Sequence, residues 1–229
     1  MILEIRFPDP RQAADHGLVA VGGDFRPEFL LTAYANGIFP WPCRDLEYAW
    51  FSPNPRLVLV PDQLRISRSL RKTVRKGRFR IRFDTAFDEV IRRCAAAPRP
   101  EGAGSWITAE MITGYQALHG LGFAHSVESW RAGRLVGGLY GVSLGTMFCG
   151  ESMFYLEPNA SKVALVALVE RLRRWRFRMI DCQVYTDHLA RLGATEWPRD
   201  VFLDELEVAL REPTRRGSWT GEAEPANRL

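Results

Sequence analysis

Apolar positions along the chain switch between two spacings, and the switches lay out the elements. Phe29, Leu30, Ala33 and Tyr34 share one face at helical spacing over 27–36, with Pro27 near the start and Gly37 just past the end. Prolines and aromatics interrupt at 37–42 and again at 50–56, before a short strand at 57–60. Ser67 is placed to cap a helix that runs to about Lys76 and breaks at Gly77. Phe79, Ile81 and Phe83 then alternate with Arg78, Arg80 and Arg82 as a half-buried strand. Asp84 or Thr85 is placed to cap a helix to about Ala96, with Phe87, Val90, Ile91 and Cys94 inward. A loop at 98–104 leads to Thr108, which caps a helix ending at Gly120-Leu-Gly122.

From Ala124 the period becomes two. Strands at 126–131 and 135–142 flank Ala132-Gly133, a tight hairpin turn, and 145–149 follows as a third strand. Asn159 can cap a helix that buries Val163, Leu165, Val166, Leu168, Val169 and Leu172, and this helix crosses over to a strand at 179–184. A last helix covers about 200–210. The succession predicts an α+β fold. A small N-terminal α/β domain (1–62) precedes a larger domain (63–212) with a mixed, mainly antiparallel sheet flanked by helices. From Pro213 to 229 the chain is turn-formers and charge, read as a mobile tail.

Composition excludes several classes. No apolar run reaches the roughly 18–20 residues of a membrane span, and the N-terminus has no signal-peptide pattern, so no membrane partner and a cytoplasmic location are expected. Cys43, Cys94, Cys149 and Cys182 lie far apart and read as reduced core thiols, and the four histidines show no metal-ligand spacing. Neither a metal nor a cofactor is called for. Charge changes the picture more. The net +4 conceals nine Lys/Arg and no acid within 65–82, which leaves the rest of the chain at −5. A local cationic patch of that density suits a polyanion.

Candidate chemistry centres on Glu151 and Asp181, the first where a strand is expected to meet a turn and the second where a buried strand runs out. Carboxylates among apolar neighbours are costly unless paired, so two of them near one crevice suggest a site. Strand alternation puts Asp181 and Gln183 on one face and turns Cys182 away. The element order is that of a GNAT-type acyltransferase. The nearest thing to an acyl-CoA pyrophosphate loop, Arg134-Leu-Val-Gly-Gly-Leu139, ends in Leu139 and reads as a strand, which disfavours acyl-CoA.

A further set of stretches resembles a known family. They are GGD at 22–24, GIFPW at 37–41, FSPNPR at 51–56, ISRS at 66–69, WIT at 106–108, GGLYG at 137–141, FCGESMF at 148–154, NASK at 159–162 and IDCQ at 180–183. In this order they resemble the bacterial leucyl/phenylalanyl-tRNA–protein transferases over roughly 15–205. That resemblance implies a small N-terminal domain and a GNAT-like catalytic domain. The implied activity moves Leu or Phe, possibly Met, from aminoacyl-tRNA to proteins with N-terminal Arg or Lys, creating a degradation signal of the N-end rule.

The resemblance also implies roles. Asp181 and Gln183 match residues that activate the attacking amine, and Glu151 matches the acid at the acceptor site. The aminoacyl pocket falls on Leu139, Phe148, Gly150, Met153, Leu165, Leu168 and Ile180, and Trp41 and Trp106 match contacts to the terminal adenosine. Arg68, Arg71, Lys72, Arg75 and Lys76 would grip tRNA phosphates without reading sequence. Thr186 stands where the family commonly has Asn. Independently of the resemblance, an activated ester needs only positioning and proton removal for attack by an amine of pKa near 7.7–8.0. The competing readings are a related tRNA-dependent ligase acting on a peptide or cell-wall precursor, and a tRNA-binding module without catalysis.

Overall fold

A computed structural model describes residues 5–41, 48–98 and 106–221. Cys43, most of the 98–104 loop and the end of the tail at 222–229 lie outside the described residues. The N-terminal part contains β1 (Leu18–Val21), α1 (Pro27–Ala35), β2 (Phe39–Pro40) and β3 (Ala49–Phe51), the strands forming a sheet in the order β1-β3-β2. Pro27 sits at the helix start as its missing N–H allows, and Gly37 ends it at φ +71°. A Cβ there would collide with Leu203.

The remaining strands are β4 (Arg56–Leu59), β5 (Arg80–Phe83), β6 (Ala124–Arg131), β7 (Arg134–Leu144), β8 (Met147–Tyr155), β9 (Met179–Gln183) and β10 (Thr195–Trp197). They form one sheet in the order β10-β4-β9-β8-β7-β6-β5. Every neighbouring pair is antiparallel except β8 and β9, which the crossover helix α5 (Ala160–Arg174) joins in parallel. The strand read as the end of the N-terminal unit, β4, therefore belongs to the large sheet, between β9 and β10. Helix α2 (Arg68–Arg75) and α5 pack with Leu139, Phe148, Ile180 and Cys182 on one face of that sheet. Helices α1, α3 (Phe87–Ala95) and α4 (Ala109–Gly120) meet Tyr140, Val142 and Cys149 on the other. Two helices follow β9: the short α6 (Asp187–Arg191), which periodicity alone did not indicate, and α7 (Arg199–Leu210) on the α1 side.

Helix starts divide into those the sequence marks and those it does not. Ser67 and Thr108 accept the N–H groups of Leu70 and Met111 at 3.2 Å each, as their positions predict. Neither Asp84 nor Thr85 caps α3. Asp84 is drawn off at φ +55° to His125, while the N–H groups of Thr85 and Ala86, just before α3, donate to Glu128 of β6. Asn159 does not cap α5 either, since at φ +70° its side chain makes no capping bond.

The chain past Pro213 is not wholly solvated. Trp219 is 5% exposed, stacked on His125 with ring centroids 3.7 Å apart. Its N–H donates to Asp84 at 2.7 Å and its carbonyl accepts from Arg171 of α5 at 2.6 Å. Arg171 of the crossover helix is 1% exposed and lies over the Phe83 ring. A turn-rich composition hid this anchor because one buried aromatic in a polar stretch has no periodicity.

Candidate functional site

A cavity of about 290 Å³ opens between α5 and the middle of the large sheet. Its apolar wall is Leu139 of β7, Phe148, Gly150 and Met153 of β8, Leu165 and Leu168 of α5, and Ile180 of β9. Those are the pocket positions singled out in the sequence, brought together by the crossover. Gly150 widens the space: a Cβ there would meet nothing nearer than the Asp181 carbonyl oxygen at 3.7 Å, an ordinary van der Waals contact. Trp41 and Trp106 also line it, their rings 6.0 Å apart and 22° from parallel, with Trp41 36% exposed. Such a pair presents flat apolar surface at the mouth.

Glu151 lies within β8 rather than at its end. Tyr140 pairs with Ser152 and Gly141 with Gly150, so Glu151 is the extra residue of a β-bulge. The bulge shifts the side-chain alternation by one, and Glu151 is among the residues that line the cavity. Although 8% exposed, the carboxylate is well supplied with donors: Tyr34 at 2.8 Å, Tyr115 at 2.9 Å and Gln183 Nε2 at 2.9 Å. Burial raises its pKa to about 7, helped by the nearby Asp181 charge and opposed by those three hydrogen bonds. Tyr34 and Tyr115 are themselves pushed well up by burial and by Glu151, so they remain protonated donors.

Asp181 is placed differently from the expectation. Both its oxygens are taken by Arg56, Nε to Oδ1 at 2.8 Å and Nη2 to Oδ2 at 2.7 Å, with both side chains 1% exposed. The guanidinium is sandwiched between the Phe39 and Phe202 rings, 4.5 Å from each. Asp181 does not line the cavity; Ile180, Cys182 and Gln183 do. The strand alternation that assigned Asp181 and Gln183 one face fails at Gln183, whose φ of +65° turns it back toward the cavity. Oδ1 of Asp181 accepts the Gln183 N–H at 2.9 Å and holds that turn. Cys182 thus faces the cavity, but burial pushes its thiol and that of Cys149 upward, and both stay protonated.

Three residues of this constellation escaped sequence reasoning. Tyr34 read as the apolar face of α1, Tyr115 was one position in a helix, and Arg56 was only the last letter of a Pro-rich stretch. Only a fold that inserts β4 beside β9 and leans α1 and α4 over β8 gives them a partner. Thr186 caps α6, accepting the Leu189 N–H at 3.3 Å, and lines the cavity beside His188.

The basic helix is one layer away. Arg68, Arg71, Lys72, Arg75 and Lys76 are exposed, while Leu70 and Val74 are buried against α5, whose Leu165 and Leu168 wall the cavity. Arg68, Arg71, Lys72 and Lys76 meet no carboxylate among the described residues. Such a surface is free to meet phosphates.

Residues 58–207 match the family described as leucyl/phenylalanyl-tRNA protein transferase, and residues 23–54 match its N-terminal domain. The chain is 58% identical over 214 residues to a leucyl/phenylalanyl-tRNA–protein transferase of Myxococcus xanthus, covering 93% of this chain and 92% of that one. One from Anaeromyxobacter sp. strain Fw109-5 is 58% identical, covering 94% and 92%, and one from Desulfatibacillum aliphaticivorans is 54% identical, covering 96% and 94%.

Proposed function

The chain belongs to the leucyl/phenylalanyl-tRNA–protein transferase family, and from that membership we propose how its cavity carries out aminoacyl transfer from tRNA to a protein N-terminus. The donor is Leu- or Phe-tRNA, and the acceptor is the α-amine of a protein beginning with Arg or Lys. The transferred residue marks the product for degradation, in the cytoplasm where charged tRNA is found. The parallel β8–α5–β9 unit at the end of an antiparallel meander is read as a GNAT-like core.

Leu139, Phe148, Met153, Leu165, Leu168 and Ile180 hold the apolar side chain of the donor, with Met153 adapting to branched or aromatic guests. The terminal adenine stacks on Trp41 and Trp106, a contact worth roughly 1–3 kcal/mol per base. The observation that carries the reading is Glu151, a buried carboxylate with a pKa raised to about 7 that faces the cavity. It is matched to an α-amine of pKa near 7.7–8.0. The amine nitrogen bonds to the ester carbonyl carbon, Glu151 takes the proton, and the carbon–oxygen bond to the ribose breaks as that oxygen receives the proton back. Gln183 donates to Glu151 through Nε2 and leaves its carbonyl oxygen to orient the amine. Asp181 is a positioning residue, holding Gln183 while Arg56 neutralises it.

The test mixes the protein with tRNA carrying labelled Leu and a protein beginning with Arg. Label should appear in the acceptor without ATP or coenzyme A, and its absence would sink the reading.

A further inference from the structure

A second cavity, about 520 Å³, adjoins the first and shares Met153 and His188 with it. Its other lining residues are Tyr155, Pro158, Asn159, Ser161 and Lys162, so no carboxylate faces it. It lies over the first turn of α5, which has no acidic residue and no side-chain cap. The N–H groups of Ser161 and Lys162 belong to that turn and have no intrahelical acceptor, and the helix dipole adds positive potential there.

The side chains point the same way. Ser161 is only 4% exposed and lines the cavity, yet its Oγ meets no hydrogen-bond partner among the described residues. An unpartnered hydroxyl on the cavity wall is available to donate to a ligand there. Lys162 meets no carboxylate among the described residues, and His188 Nε2 is buried without a partner. The acid just before the helix, Glu157, is occupied by Arg78 at 3.0 Å and Arg131 at 2.6 Å. Arg78 follows the end of α2, so this ion pair ties the segment after the basic helix to the segment just before α5.

We propose that this cavity binds the phosphodiester on the 5′ side of the donor's terminal adenosine, through Ser161, Lys162 and the α5 N–H groups. The inference rests on the transferase reading and deepens it. The cavity adjoins the aminoacyl pocket, so a phosphate one nucleoside removed from the ester is what would reach it, and α2 lies next along the backbone's path. An acceptor protein led by a cationic residue would meet cations here, which disfavours it as the occupant.

The experiment uses two minimal donors, 3′-leucyl adenosine with and without a 5′-phosphate, and an acceptor beginning with Arg. For the unaltered protein the phosphate should lower the donor KM about tenfold, the scale of one charge-assisted site. Lys162→Met and Ser161→Ala should each bring that ratio toward one. Calorimetric binding of adenosine 5′-monophosphate against adenosine should show the same preference without any reaction. A ratio that survives both substitutions, or equal KM for the two donors in the unaltered protein, overturns the site. So does a raised KM for the acceptor with an unchanged donor ratio, which would assign the cavity to the acceptor. Preference for the monophosphate without transfer from either donor would instead retain the phosphate site and remove the transferase reading.

Discussion

Glu151 shows how much one residue's surroundings decide. In sequence it is an acid between Gly150 and Ser152; in the fold it is a bulged residue under two tyrosines and an amide. Its pKa of about 7, against an ordinary 4.5, means that the native state keeps a proton the unfolded chain has already lost. Stability therefore falls as pH rises from about 4.5 to about 7, and charging the buried group costs up to roughly 3 kcal/mol. Glu151→Gln should remove the limb of kcat/KM near pH 7, leave the limb set by the amine, and make the protein more stable at pH 8 but not at pH 4. Rates from pH 5.5 to 9 and urea unfolding at the two ends check both, and an unchanged rate profile would deny Glu151 the proton. The residues of the cavity's apolar wall were legible one by one as apolar positions. That they form one wall was legible only through the family resemblance, since a buried Leu looks the same in any core.

Among elements, α2 is the most completely written in the sequence. Its cap, its length and its two faces follow from Ser67, Gly77 and the spacing of Leu70 and Val74. An exposed cationic face that binds RNA releases counterions, so changing Arg71, Lys72 and Arg75 together to Gln should weaken tRNA binding at low salt. It should also reduce the slope of log K against log salt by about 2–3. Filter binding across a salt series measures this, and an unaltered slope would take α2 out of the interface. The β8 strand was legible only in part. Its beginning showed, but the expected turn at Glu151 was a bulge, which keeps the strand going to Tyr155. Two expected helix caps did not form: Glu128 takes the N–H groups of Thr85 and Ala86 just before α3, and α5 goes uncapped at the cavity proposed for phosphate.

At the scale of the molecule, the sheet order brings distant segments to one place. Inserting β4 beside β9 creates the Arg56–Asp181 pair across 125 residues of chain. Leaving either charge alone in that interior would cost several kcal/mol. The C-terminal anchor works likewise. Trp219 spans β6, the Asp84 turn and α5, so Trp219→Ala should destabilise by about 3–5 kcal/mol, read from the urea midpoint. A loss under about 1 kcal/mol would mean that the segment is merely resting there. By itself the sequence determined every helix but α6, most strands, the basic face and, through its motifs, the family, because these depend on periodicity and on residues close together in the chain. Only the tertiary structure decided that Asp181 is bound to Arg56, that Glu151 is the carboxylate lining the cavity, and that the tail carries a buried tryptophan. The physical reason is that desolvation and charge pairing depend on what surrounds a side chain, and those neighbours come from segments that local spacing cannot relate.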